Sequence, residues 1–211
     1  ERAQRVVEVE VVDLEQAVGR DVAREHGILV LLVDGDELPL LAGQGGAAGS
    51  LITKLVVNDA GPVVSKVSLE RIANYFGMAP VFPDMATAEK YIRVVSATFG
   101  PHSDAQWRFL AEVAVRKNAD GTLRLHYDPK IAEPFRATLP EKDLELWPLW
   151  DAIRCPTLVL RGALSDLLTR DTCDKMAGRG PKAKVVEIPG VGHAPTLMHA
   201  EQIRIVREFL A

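Results

Sequence analysis

Two short stretches near the end of the chain carry residues able to do acid–base chemistry. The first is Arg161-Gly162-Ala163-Leu164-Ser165-Asp166, and the second is Pro189-Gly190-Val191-Gly192-His193-Ala194-Pro195. Each follows a short apolar run, Thr157 to Leu160 and Val185 to Ile188, that reads as a buried strand. In an open α/β sheet, the crevice beyond the carboxyl ends of the strands is where ligands bind. A carboxylate after one strand and a histidine on a glycine loop after the next can meet there. The carboxylate then accepts from one imidazole nitrogen and fixes the tautomer, and the other nitrogen serves as a general base. Taken alone, an aspartate in such a loop is a turn or cap residue and a histidine a surface or satisfied core residue. Their order and spacing are what point to Asp166 and His193 as an acid and base.

The elements that must position these residues read as α/β. Val6 to Val12 alternates apolar and acidic residues, as a half-buried strand does, and Asp13, with Gln16 as its capping partner, precedes helically spaced Leu14, Ala17, Val18, Val22 and Ala23. Ile28 to Val33 is continuously apolar, as expected of a strand covered on both faces. Leu55 to Val57 is a further short strand, stopped by Asn58-Asp59-Ala60-Gly61-Pro62. From about Val63 to Trp150 the pattern becomes mostly helical. Helices are expected around Leu69 to Phe76, Ala88 to Val95 and Asp104 to Val115, with a short strand at Leu123 to Tyr127 and loops marked by Pro80, Pro83, Pro129 and Pro134. The strand–helix rhythm then returns and closes on an amphipathic helix, Glu201 to Leu210. The expected organisation is an α/β core over 1–62, a helical insert over 63–150 and the second part of the core over 151–211.

These residues resemble a known family. L-V-L-R-G-A-L-S-D-L-L-T from Leu158 and V-V-E-I-P-G-V-G-H-A-P-T-L-M from Val185 are similar to the C-terminal half of α/β-hydrolases. L-V-V-N-D-A-G-P from Leu55 resembles that family's strand after the nucleophile helix, where a cap is inserted. W-R-F-L-A-E from Trp107 and H-Y-D-P-K-I-A from His126 resemble the cap of an esterase-like subgroup. The resemblance implies a mostly parallel sheet flanked by helices, with a helical cap. It implies His193 as catalytic base, Asp166 as its acid partner and Asp59 as the alternative acid, a residue that otherwise reads as a turn before Gly61-Pro62. The implied activity is hydrolysis of small carboxylic esters or similar acyl substrates, without metal or organic cofactor.

The nucleophile is the missing piece. The family's elbow is G-x-Nu-x-G on a strand-to-helix turn, and none of the six serines (Ser50, Ser65, Ser68, Ser96, Ser103, Ser165) has glycine both two before and two after it. Leu40 to Gly46 is elbow-like with Gly45 in the serine's place. A helix length back from Leu55 instead places the elbow near Asp34 and Asp36, with Asp36 the carboxylate candidate, although Asp-Gly-Asp is first of all a turn signature. At most one strand and one helix precede Ile28, so the early strands and the oxyanion-hole loop are expected to be missing or atypical, and Glu1 in place of a methionine reads as a fragment. The competing expectation is an inactive hydrolase-like remnant or ligand-binding module.

Composition narrows the classes. The 211 residues are 47% hydrophobic and 26% charged with a net charge of -4, which describes a globular chain with no electrostatic case for nucleic acid or an anionic membrane. The apolar runs are too short to span a bilayer, and no basic-then-apolar leader opens the chain, so a cytoplasmic protein with a small-molecule substrate is expected. Cys155 and Cys173 read as one buried hydrophobe and one partly exposed thiol. Gly43 to Gly49 makes a poor phosphate-binding fingerprint. His102, His126 and His199 lack metal-ligand spacing. Trp107, Trp147 and Trp150 read as cap packing, with a place on the wall of an acyl pocket as the other option.

Overall fold

The computed structural model describes residues 28–32, as backbone, and residues 54–211. Strands β1 (Ile28–Leu32), β2 (Lys54–Asn58), β8 (Thr157–Gly162) and β9 (Lys184–Ile188) form one parallel sheet in the order β1-β2-β8-β9. Parallel strands need both faces covered, which explains why Thr157 to Gly162 is buried at every position. The alternation along each strand divides the core. Leu55, Val57 and Val159 face a cluster with Trp150, Ile153, Leu168 and Met176, whereas Val56, Leu158 and Leu160 face Leu197 and Val206. Val206 belongs to the closing helix, α7 (Ala200–Leu210), and Met176 to α6 (Arg170–Gly178), whose first turn is capped by the Thr169 hydroxyl accepting from the Thr172 amide.

The segment between β2 and β8 carries α1 (Lys66–Tyr75), α2 (Met85–Val95) and α3 (Asp104–Ala114), then two single-turn helices, α4 (Ala132–Ala137) and α5 (Trp147–Ala152). Its helix starts are written in the sequence. Ser65, Asp84 and Ser103 each accept from a first-turn amide, and the Ser103 amide donates in return to Gln106 Oε1, closing a capping box. Pro134 lies inside α4 rather than in a loop; its missing N–H falls in the first turn, where no intrahelical partner is needed.

This segment is less helical than its sequence suggests. β4 (Val81–Phe82), β5 (Val115–Lys117) and β6 (Leu123–Leu125) make a three-stranded antiparallel sheet, and β3 (Val63–Val64) pairs with β7 (Leu144–Glu145). Strands of two or three residues are too short to show a period of two. The β3–β7 pair draws the two ends of the segment together beside β2 and β8. Trp107 packs with Ile92 and Leu110 inside the segment, while Trp150 reaches the core of the parallel sheet. Among the described residues no helix is long and apolar enough to cross a membrane.

Both cysteines are buried, correcting the expectation of one exposed thiol: the helix of Cys173 turns it onto the sheet core beside Cys155. Burial pushes the Cys173 thiol up to about 12 and raises that of Cys155. The folded protein at pH 8 should therefore give no reaction with a thiol-titrating disulfide reagent, and two thiols should appear on denaturation. Rapid labelling of native protein would contradict this packing.

Candidate functional site

Three strand ends converge on one carboxylate. Asp59 follows β2 directly, in the left-handed backbone region at φ 52°, where aspartate is tolerated better than most residues. Its amide donates to the Leu160 carbonyl at 2.7 Å, and the turn sends the side chain across to the neighbouring strand β8. The side chain has no exposure to solvent. Oδ1 accepts from the Gly162 amide at 2.7 Å, and Oδ2 accepts from the Ser165 hydroxyl at 2.5 Å and from His193 Nδ1 at 2.8 Å. A carboxylate only accepts, so Nδ1 carries the imidazole proton, and in the neutral ring Nε2 is then the basic nitrogen.

The structure replaces Asp166 with Asp59 beside His193. Asp166 points to the surface and pairs with Arg71 of α1 at 2.7 Å, both side chains at least half exposed. A pair so placed contributes about 0–1 kcal/mol. The residue of that loop that does reach inward is Ser165, one position earlier, which the sequence marked only as adjoining the acid. Asp34, Asp36, Gly45 and Ser50, together with the Gly43 to Gly49 stretch, lie outside the described residues, as do the expected strand at Val6 to Val12 and the helix after it. The other serines have local roles: Ser65 and Ser103 cap helices, Ser68 lies buried on α1, and Ser96 ends α2.

The loop bearing His193 is held on two sides. From the sheet, the Asn58 side chain donates to the Pro195 carbonyl at 2.8 Å. From the inserted segment, the Thr98 hydroxyl donates to the His193 carbonyl, the Gly192 amide donates to the Thr98 carbonyl, and the Gln106 side chain donates to the Met198 carbonyl. His102 adds a fourth tie. Burial lowers its pKa, with His199 nearby acting the same way and the Gly100 carbonyl opposing it, which favours the neutral ring. Its Nδ1–H donates to that carbonyl at 3.0 Å, so Nε2 accepts from the Thr196 hydroxyl at 2.9 Å. His102 also packs against Trp107 and His199. Among the described residues no group of three His, Cys, Asp or Glu side chains is placed to hold a metal ion.

Asp59 and His193 lie on the wall of a cavity of about 330 Å³. Its remaining described lining is apolar except for Thr138, and comes largely from β3, α1 and the stretch from Ile131 to Leu144. The aromatic rings on this wall are Phe76 and Phe135, packed edge to face at 5.1 Å; none of the three tryptophans lines it.

The sequence is matched by the model of a family described as "Alpha/beta hydrolase family" over residues 6–205. It is 41% identical over 175 residues to the 3-hydroxybutyrate-oligomer hydrolase of Cupriavidus necator, an alignment that takes in 79% of this chain and 59% of that protein. The chain thus spans about three fifths of that relative. A crystal structure of an alpha/beta hydrolase from Novosphingobium aromaticivorans superimposes with a TM-score of 0.70 at 36% identity, over 82% of this chain and 60% of its own. E-2-(acetamidomethylene)succinate hydrolase superimposes with a TM-score of 0.69 at 18% identity, over 93% of this chain and 71% of its own, which is a likeness of fold alone.

Gly162 is the tightest point of the site. A Cβ there would stand 2.2 Å from the Gly192 carbonyl oxygen and 2.6 Å from that of Val191, so any side chain pushes the His193 loop away. Gly162→Ala should destabilise the protein by roughly 1–3 kcal/mol and shift the His193 imidazole resonances. Unchanged unfolding midpoint and unchanged resonances would show that the loops are not in contact.

Proposed function

Because the chain belongs to the alpha/beta hydrolase family, we propose that it hydrolyses small carboxylic esters, with His193 as general base and Asp59 as the carboxylate that orients it. The observation that carries this reading is the hydrogen bond from His193 Nδ1 to the buried Asp59, on the wall of an apolar cavity at the carboxyl ends of parallel strands. The similarity to a 3-hydroxybutyrate-oligomer hydrolase supports esters of short hydroxy acids as the substrate class. The segment over 63–150 acts as the cap, closing an acyl pocket over the base.

In this mechanism Nε2 of His193 takes the proton of an attacking hydroxyl or water and later returns it to the departing alkoxide. Asp59 keeps the imidazole in the correct tautomer and stabilises the imidazolium, staying ionised throughout. The described serines are all engaged in caps, helix packing or the Asp59 contact, and Asp36, the carboxylate candidate, lies outside the described residues; a carboxylate would attack without a proton to give up, leaving Nε2 to activate the water of the hydrolytic step. This chemistry calls on no metal or organic cofactor. Asp59 apart, no side chain of fixed charge lies on the described pocket wall, and an acyl chain ending in a carboxylate would surrender its hydration without gaining a cation.

The test is hydrolysis of a chromogenic butyrate ester and of 3-hydroxybutyrate dimers and trimers by the folded chain. His193→Ala and Asp59→Asn should lower kcat/KM by about 10³–10⁴-fold, whereas Asp166→Asn should stay within about threefold, since only an exposed ion pair is lost. Turnover that survives Asp59→Asn but falls with Asp166→Asn would overturn the assignment. Absence of turnover by the folded wild-type chain would favour a ligand-holding module. A hemisuccinate ester of the same alcohol should be cleaved at least about tenfold less efficiently than the butyrate; equal efficiency would contradict an uncharged acyl pocket.

A further inference from the structure

We propose that Ser165 is a positioning residue for the Asp59–His193 pair, and that the loop after β8 serves to clamp the acid rather than to supply it. The inference rests on the reading of His193 and Asp59 given above. Its basis is geometric. The Ser165 hydroxyl donates to Asp59 Oδ2 at 2.5 Å, the same oxygen that accepts from His193 Nδ1. With the Gly162 amide on Oδ1, the carboxylate plane is fixed at both oxygens, and Ser165 determines where Oδ2 sits relative to the imidazole. Without the serine, Oδ2 would be held by the histidine it is meant to orient.

The hydroxyl is itself aimed. Its oxygen accepts from the Leu167 and Leu168 amides at 3.3 and 3.2 Å, so its single hydrogen is directed to Asp59. The backbone around it is gathered by Arg161, a buried guanidinium whose Nε donates to the Leu168 carbonyl and whose terminal nitrogens reach the Ala163 and Ser165 carbonyls. Glu187 of β9 balances that charge at 2.6 Å. A buried arginine spent on three carbonyls of a six-residue loop is a costly way to shape a turn. It makes sense where the loop must hold one atom in place. Asp166, next in sequence, is left outside the clamp and turns to Arg71.

A role confined to loop structure and a role in positioning the acid predict different outcomes. In Ser165→Ala, kcat for ester hydrolysis should fall roughly tenfold to a hundredfold with KM within about threefold, measured on protein shown to be folded. Ser165→Thr, which keeps the hydroxyl, should recover most of the loss. Independently of turnover, the far-downfield proton resonance of His193 Nδ1–H should move in Ser165→Ala, because Oδ2 then accepts from the imidazole alone. A kcat and a resonance unchanged in Ser165→Ala, with only a lower unfolding midpoint, would overturn the proposal and leave Ser165 a loop residue. The resonance also separates the two readings. If the wild-type chain hydrolyses no ester, the proposed activity fails, yet a resonance that moves in Ser165→Ala still upholds the clamp and one that stays still refutes it.

Discussion

A carboxylate with no access to water must find its donors inside the protein, and among the described residues Asp59 finds three. Leaving such a group unpaired would cost several kcal/mol, a large part of the net stability of a typical domain. The donors come from the end of β8, from the loop after it and from the loop after β9. Each of those segments must therefore be in its final position before the charge is satisfied. Adjacent parallel strands β2, β8 and β9 bring the three together at one edge, and Gly162 permits the closeness, since its position has no room for a side chain.

The same convergence ties the inserted segment to His193. Thr98, His102 and Gln106 hold the loop of His193 from one side, while Asn58 and Asp59 hold it from the other. The insert also provides most of the described apolar wall of the cavity, including Phe76 and Phe135. A displacement of the 3-10 turn Ala97–Phe99 or of α3 would thus act on the imidazole as well as on the pocket. The shape of the cavity and the position of the His193 ring are coupled through a few hydrogen bonds to backbone carbonyls.

Much of the scaffold was legible because it rests on short-range patterns. The continuous apolar runs at Ile28 and Thr157 marked strands of the parallel sheet, and Ser103 with Gln106 marked a helix start. The loop of His193 was legible from its glycines. The identity of its partner was not, because Asp59 and Asp166 both follow buried strands and both fit a turn. Two facts decide between them, and neither is periodic: β2 lies directly beside β8, and Asp59 adopts a positive φ that swings its carboxylate over that strand. Ser165 was hidden for a related reason, since the inward direction within Gly162 to Leu168 is set by the buried Arg161. The pairing of β4 with β6 and the phenylalanine wall depend on contacts between segments tens of residues apart, to which local hydrophobic patterning is blind.

In the proposed reaction Asp59 and His193 act as one unit. Groups that work as a unit are strongly non-additive when removed together. The most direct measurement is a double-mutant cycle on kcat/KM for a short-chain ester with Asp59→Asn, His193→Ala and the combined variant. The double variant should be no slower than His193→Ala alone, because without the imidazole the carboxylate has nothing left to orient. Losses that multiply in the double variant would contradict it.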